Sequence, residues 1–464
     1  MPLILGANTL TAGGYEVDNS LRFEPSSSDY LNRTSGTSTD NKKLTFSFWV
    51  KRGDSGREQH YVNSSGTACQ TYFASDDKIY FTDGTASGQY KTTQVFRDFS
   101  AWYHFVFAED TTQATASDRI KIYVNGTQIT AFDIATTPTL NANSGWNANS
   151  TATFIGRYNP SPTGYYYSGY MSEFNFIDGQ QLTPSDFGEF DADTGIWKPI
   201  AYEGTYGNNG FYLEFKDSSA LGDDTSGEGN NFTVNNLTSI DQTTDTPTNN
   251  FATLNPLSTV FTENISSMLS NGNVDYTPSG DYSIVKSTIP FGTTGKWYVE
   301  VKDNTSQGGG NGLGIQRLPA TSYATNSFLS YQCNDYCYSY QGDGIIKKGS
   351  TSNTTVASGL TVITAGDIIA MLFDADNNEI KWYNNDTLVY TLDLSTAPDG
   401  YYINDGEWVC AYMGYGGYGT RNMNFGNPAI TISSGNSDAN GYGNFEYDTK
   451  SGYALCTKNL AEYG

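Results

Sequence analysis

Five consecutive residues, Glu189-Phe190-Asp191-Ala192-Asp193, place carboxylates at alternate positions. On an extended strand these would share one face. Two carboxylates flanking a sugar are what a glycosidase needs, close together for retention and further apart for inversion. The run follows Leu182-Thr183-Pro184-Ser185-Asp186-Phe187, which reads as a capped turn or short helix, and only Trp197 is near enough in sequence to act as a sugar platform. A structural role is therefore expected for these acids. Nucleophilic catalysis needs a positioned imidazole, and the chain has two His, His60 and His104. His104 lies inside the apolar run Trp102-Tyr103-His104-Phe105-Val106-Phe107, where a packed, hydrogen-bonded ring is expected; His60 sits beside Tyr61 in a polar stretch with no assignable role. There is no Gly-x-Ser-x-Gly elbow, and Gly308-Gly309-Gly310 lacks the strand-to-helix context of a phosphate loop. The expectation is that the protein is not an enzyme.

Metal chemistry comes down to acidic loops. Asp76-Asp77, Asp191-Ala192-Asp193, Asp223-Asp224 and Asp374-Ala375-Asp376-Asn377-Asn378 supply carboxylates, and calcium takes 6–8 oxygens from such loops. The last begins as D-x-D-x-N but lacks the glycine and distal glutamate of an EF-hand. Asp76 and Asp77 are kept as the calcium candidates, and no other cofactor is expected. The five Cys, Cys69, Cys333, Cys337, Cys410 and Cys456, are odd in number and sparse, which implies no disulfide framework. Cys333 and Cys337 are the one close pair; on an extended strand they would stand roughly 13 Å apart, too far to bridge unless a hairpin closes the gap. Zinc is not expected with so few ligands, and the thiols read as buried small residues made in a reducing compartment.

The remaining candidates are aromatic. Tyr165-Tyr166-Tyr167 lies between Gly164 and Gly169, and Tyr412-Met413-Gly414-Tyr415-Gly416-Gly417-Tyr418-Gly419 alternates Tyr with Gly. Tyrosine offers a rigid amphipathic face at low entropic cost, so Tyr165, Tyr166, Tyr167, Tyr412, Tyr415 and Tyr418 are the candidate contacts to a ligand or a neighbouring subunit.

These residues must be carried by strands. Leu44-Thr45-Phe46-Ser47-Phe48-Trp49-Val50 alternates with its large residues on one face, the pattern of a half-buried strand. Ile120 to Val124 and Thr127 to Ile129 flank Asn125-Gly126, a type I′ hairpin signal. Short strands of this density, separated by polar turns, predict all-β sandwiches or jelly rolls. The length of 464 residues asks for more than one core. Texture changes from Gly204 to Pro256, where one strand, Gly210 to Phe215, precedes a long run rich in Gly, Asn, Asp, Ser and Thr. The expected division is residues 1–235, a connector over 236–260, a second sandwich over 261–435, and a tail over 436–464.

Composition narrows the partners. Aromatic residues make up 14% and charged residues 16%, with a net charge of −24. The aromatic content argues against disorder. The acidity and the absence of a basic cluster exclude nucleic-acid binding, and no apolar stretch is long enough to insert in a bilayer as a helix. Met-Pro-Leu-Ile-Leu-Gly has no basic n-region, so no secretory signal is expected there.

Read in order, Ser20-Leu21-Arg22-Phe23, Phe46-Ser47-Phe48-Trp49-Val50, Trp102-Tyr103-His104, Tyr123-Val124-Asn125-Gly126, Tyr170-Met171-Ser172-Glu173-Phe174 and Leu182-Thr183-Pro184-Ser185-Asp186-Phe187 resemble a LamG-like, concanavalin A-type jelly roll. The resemblance implies that the strand Phe211 to Phe215 returns beside the strand at Ser20, and it places Asp76-Asp77 near where such folds sometimes carry a metal loop. The second half resembles a SPRY domain: Gly295-Lys296-Trp297-Tyr298-Val299-Glu300-Val301 is similar to its opening strand, Gly312-Leu313-Gly314-Ile315 to the next, Gly366-Asp367-Ile368-Ile369 through Trp382-Tyr383-Asn384-Asn385-Asp386 to its central hairpin, and Asn424-Phe425-Gly426 to its closing strand. Asn385-Asp386 replaces the usual Asn-Gly, so a different turn type is expected there. The tandem, with the joining segment at Asp245 to Phe251 and the ending Ala454 to Leu460, resembles tailed-bacteriophage virion proteins. That implies an adhesive or structural virion component on a tail fibre, tail appendage or capsid surface, assembled in the bacterial cytoplasm. Its expected partners are other virion proteins, copies of itself (as a trimer on a fibre), and host-surface glycan or protein. Purely architectural decoration is the rival expectation, with a glycan-cleaving enzyme third.

Overall fold

The computed structural model describes residues 14–64, 69–84, 88–159, 165–258, 265–279, 283–305, 308–309, 311–318, 337–349, 354–396 and 406–464. The opening hexapeptide, Gly310 and Cys333 lie outside them. The chain is almost entirely β-strand and divides into two compact units, 1–250 and 251–464.

The first unit is a sandwich of two sheets. One runs Thr127–Gln128, Ile120–Val124, Trp102–Asp110, Lys43–Arg52, Gly169–Asp178, Ser20–Phe23 and Gln242–Thr243. The other runs Phe132–Thr136, Gln89–Val95, Lys78–Asp83, Cys69–Phe73, Gln59–Ser64, Ala152–Ile155, Tyr30–Thr34 and Thr233–Asn235. Leu44, Phe46, Phe48 and Val50 point between the sheets, where Phe48 stacks on Phe174 with centroids 4.5 Å apart. The strand at Lys43 is not half-buried, as its alternation suggested: Leu44 through Arg52 are all buried. Its second face lies under chain from the unit's later part, with Ile177, Phe187 and Tyr206 in one cluster and Trp49, Trp102, Tyr170 and Trp197 in another. The Asn125-Gly126 hairpin forms as expected, with φ of +46° and +77°.

Phe211–Leu213 pairs with Phe174 to Phe176 rather than with the strand at Ser20. Both strands use the same edge of Gly169–Asp178, on either side of a bulge between Ser172 and Asn175. The strand that does flank Ser20–Phe23 is Gln242–Thr243, so residues 236–250 do not form a connector. Thr243, Asp245, Thr246, Thr248 and Asn250 are buried, and their side chains are satisfied by hydrogen bonds, not by an apolar core. Polar composition there marks a buried hydrogen-bonded strap, which composition alone does not separate from a linker.

The second unit is also a two-sheet sandwich. Its larger sheet runs Leu269–Ser270, Asp275–Tyr276, Arg421–Asn424, Lys296–Asp303, Ile368–Asp374, Glu379–Asn384 and Thr387–Asp393. The smaller runs Ser283–Lys286, Glu407–Gly414, Gly312–Leu318, Cys337–Gln341, Ile345–Gly349 and Thr354–Ala357. Trp297 and Trp382 are fully buried between them. Asn385 and Asp386 both adopt positive φ, +45° and +67°, so the turn keeps the geometry of its Asn-Gly counterpart despite the Asp.

Residues 436–464 are part of this unit, not a tail. Tyr453–Ala454 pairs in parallel with Lys296–Asp303, and Phe445, Ala454 and Cys456 are buried. Asp438 accepts from the Ala454 amide (2.9 Å) and Asn459 Nδ2 (2.7 Å). Thr457–Tyr463 is the α-helix among the described residues. Cys69, Cys337, Cys410 and Cys456 are buried free thiols.

Candidate binding face of the first unit

The residues that invited catalytic readings are structural. Gly188–Phe190 pairs with Trp197–Pro199 in a small hairpin, entered by the turn Pro184–Asp186, where Asp186 accepts from the Thr183 amide at 2.9 Å. Asp191 caps the hairpin turn, accepting from the Thr194 amide and hydroxyl at 2.9 and 3.0 Å. Those bonds, with Lys198 at 3.3 Å, hold its carboxyl well below the usual carboxylate range. Lys198 also reaches Glu189 at 3.2 Å. Two acids tied to one ammonium, with Asp191 held firmly ionised, do not make a general acid and its partner.

His104 is buried, and burial pushes its pKa down to about 3. The Trp197 indole N–H lies 3.0 Å from Nδ1 and can only donate. Nδ1 is therefore the acceptor, and Nε2–H donates to Ser47 Oγ at 2.8 Å. A triad base needs the opposite tautomer.

Asp76 and Asp77 do not converge on a cation. Asp77 is held by Arg52 (3.0 Å) and Arg97 (2.7 Å), and Asp76 by Lys91 (2.8 Å). Arginines engage both Asp77 oxygens and lysine engages Asp76 Oδ2, which leaves one carboxylate oxygen of the pair where calcium needs 6–8 oxygens. Among the described residues, no group of three or more His, Cys, Asp or Glu is placed to hold a metal ion.

The tyrosine candidates separate by burial. Tyr167 is fully buried, packed on Phe23 and Tyr61, with its hydroxyl donating to the Lys51 carbonyl at 2.8 Å. Tyr412 is also buried; it points inward with Trp408 and Cys410, and its hydroxyl donates to Asp303 at 3.0 Å. Both are corrected to core residues: strand alternation aims Tyr412 inward, Tyr167 packs inward from the loop before Gly169–Asp178, and each hydroxyl meets a buried acceptor. Tyr415 and Tyr418 lie on the turn beyond that strand, with ring centroids 6.0 Å apart and Tyr415 36% exposed. Tyr165 is 40% exposed, and Tyr166 is half-buried.

Tyr165 and Tyr166 border a larger surface. One outer face of the sandwich is covered as described above. On the other sheet, outward residues such as Tyr30, Asn32, Gln70, Tyr72, Tyr80 and Gln89 remain partly exposed. The register sets them in two rows. His60 pairs with Tyr72, Tyr72 with Tyr80, and Tyr80 with Lys91, so one row crosses four strands. The neighbouring row joins Asn32, Phe154, Asn63, Gln70, Thr82 and Gln89. An aromatic row thus lies beside an amide and hydroxyl row.

Rings in the first row stack on each other. His60 and Tyr72 have centroids 4.5 Å apart, and Tyr72 and Tyr80 5.0 Å. Tyr158 and Tyr165 close over His60 at 4.8 and 5.9 Å. Burial drives the His60 pKa down, against the upward pull of Glu58 at 2.7 Å from Nε2, so the ring is neutral at physiological pH. At the other end, Arg157 lies over Tyr30 at 4.6 Å, with Phe154 and Tyr166 each at 5.6 Å. Sequence reading missed Tyr30, Tyr72, Tyr80, Phe154 and Tyr158. The available signal was alternation: in Gln70-Thr71-Tyr72 and Lys78-Ile79-Tyr80 the polar or aromatic residues fall on the face opposite the core.

Such a face can bind without reacting. Ring surfaces and edges take the apolar faces of a sugar, and the amides bond its hydroxyls. Residues 25–186 match the family model of the concanavalin A-like lectin/glucanases superfamily, a span containing every strand of this face except Thr233–Asn235. No curated protein matches the chain. Among solved structures, it is similar to a heptameric SAP-like pentraxin from Limulus polyphemus (14% identity, 36% of this chain and 78% of that one, TM-score 0.28). A human SPRY domain is similar at 15% identity over 32% and 87% of the two chains, TM-score 0.23. Domains LG4-5 of the mouse laminin alpha1 chain are similar at 12% identity over 89% and 86%, TM-score 0.28.

Proposed function

We propose that this chain is a non-catalytic recognition protein of a tailed-bacteriophage virion, and that the aromatic face of its first unit adheres to host-surface glycan. The observation that carries the reading is the sheet face left partly exposed among the described residues, where an aromatic row borders an amide row. The matched family is described by lectins and glucanases, both directed at carbohydrate. The virion assignment, on a tail fibre, tail appendage or capsid surface, rests on the ordered sequence resemblances of both halves. In that setting the protein is made in the bacterial cytoplasm and packs with other virion proteins, as a trimer on a fibre. Single sites of millimolar affinity suffice there, because copies on one particle act together.

A purely architectural role, decoration or assembly without an outside ligand, is favoured by one feature, the Tyr415–Tyr418 pair of the second unit, in which Tyr415 is exposed and Tyr418 half-buried. Paired rings at a surface turn suit a subunit contact as well as a ligand. Purified particles test both readings: antibody to the full chain should label the particle and block adsorption to host cells. Labelling without any effect on adsorption supports architecture, and absence of the chain from particles overturns the virion assignment.

A further inference from the structure

The face has a fixed cation with open valences. The chain carries 25 Lys and Arg against 49 Asp and Glu, so a basic side chain has abundant carboxylates to choose from. Arg52, Arg57, Arg97 and Arg421 each take one, while Arg119 is spent on three carbonyls. Arg157 differs. Its Nε donates to the Tyr158 carbonyl at 3.2 Å, its plane is held among Tyr30, Phe154 and Tyr166, and neither terminal amino group meets a protein acceptor among the described residues. A stacked guanidinium has already lost the side-chain freedom that binding would otherwise cost. Beside it, Asn32 accepts from Asn235 at 2.7 Å through Oδ1, which leaves the Asn32 amide hydrogens to donate.

We infer that Arg157 takes the carboxylate of a hexuronate within the glycan, with the sugar ring against the neighbouring tyrosines and a ring hydroxyl on Asn32. This rests on the reading of the face as a glycan surface. The planar fork matches a carboxylate through two parallel N–H···O bonds. The adjoining rings and amide select a sugar acid over a bare anion, which would use neither.

The test is binding of the full chain to trisaccharides of galacturonate, glucuronate and mannuronate and to their methyl esters, which keep the ring and lose the charge. At least one acid should bind about ten to a hundred times more tightly than its ester, the span expected of a charged hydrogen-bonding pair. Arg157→Met, with an unchanged melting curve, should bind that acid and its ester alike, and Arg157→Lys should restore part of the preference. Equal binding of acid and ester by the unmodified chain overturns the hexuronate inference and leaves glycan recognition standing. Failure of every acid, ester and neutral glycan to bind overturns both.

Discussion

Lys51 Nζ lies 2.6 Å from Asp245 Oδ2, and both side chains are buried. The same carboxylate takes the Trp102 indole N–H at 3.0 Å, and Lys51 also reaches Asn250 at 2.7 Å. These bonds lock residues 243–250 onto the outer face of the first sheet. Removing one partner leaves a buried charge unpaired, which costs about 3–5 kcal/mol, whereas replacing both with apolar residues is often near neutral. Asp245→Ala should therefore lower the first unit's stability by about that amount in urea unfolding. Lys51→Met with Asp245→Leu should lose much less, and equal losses would show that packing, not charge, holds the strap.

Glu173 sits at the sheet bulge with φ of +51°, accepting from Tyr212 at 2.8 Å and Tyr15 at 2.9 Å. Burial raises its pKa from 4.5 to about 7 despite those bonds. The native state thus holds a proton that the unfolded chain releases. Its stabilising contribution is full below the unfolded pKa and is lost as pH rises through about 7, a swing of about 3 kcal/mol. His104 has the opposite sign: its depressed pKa gives stability that is present above the unfolded value and lost as pH falls. The Glu173 share is therefore read as a difference. From pH 4.5 to 8, Glu173→Gln should gain stability relative to the unmodified protein, and parallel curves would contradict the assignment.

The absence of catalytic machinery in the hairpin is open to direct measurement. Host polysaccharide incubated with the full chain should show no new reducing ends, and Glu189→Gln or Asp191→Asn should change nothing. Hydrolysis that disappears in Glu189→Gln would restore the glycosidase reading. Ser47→Ala should likewise leave every hydrolytic assay at background.

Tyr412 and Tyr415 are three residues apart and should behave as opposites. Tyr412→Phe leaves a buried Asp303 oxygen short of a donor, which costs about 1–3 kcal/mol. Tyr415→Ser with Tyr418→Ser removes rings from a turn and should leave the melting temperature within a degree or two. Particle assembly or host adsorption should fall instead. An early melt in that double variant would move the pair into the core.

How far these features were legible depended on whether their signal was local. Asn125-Gly126 fixes its own turn, and the strands at Lys43 and Trp102 announce themselves by their apolar runs. His104 was correctly expected to be packed. The strap at Asp245 was not legible, since a buried polar strand and a linker share a composition. Tyr167 and Tyr165 look alike in sequence, and strand alternation would put them on one face; only the packing of Tyr167 on Phe23 and Tyr61 separates the inward ring from the outward one. The aromatic face needed register: His60, Tyr72 and Tyr80 are distant in sequence and meet only because three strands pair in step.

The central claim is that the aromatic face binds glycan, and the most direct measurement is titration of the full chain with the strongest ligand from an array of bacterial surface glycans. Tyr158→Ala with Tyr165→Ala removes the two rings that close over His60 while leaving the core strands intact. The account predicts saturable binding that weakens at least about tenfold in this variant, a loss of about 1.4 kcal/mol, with unchanged thermal unfolding. Binding of the same strength in both proteins, or no glycan bound at all, would contradict it.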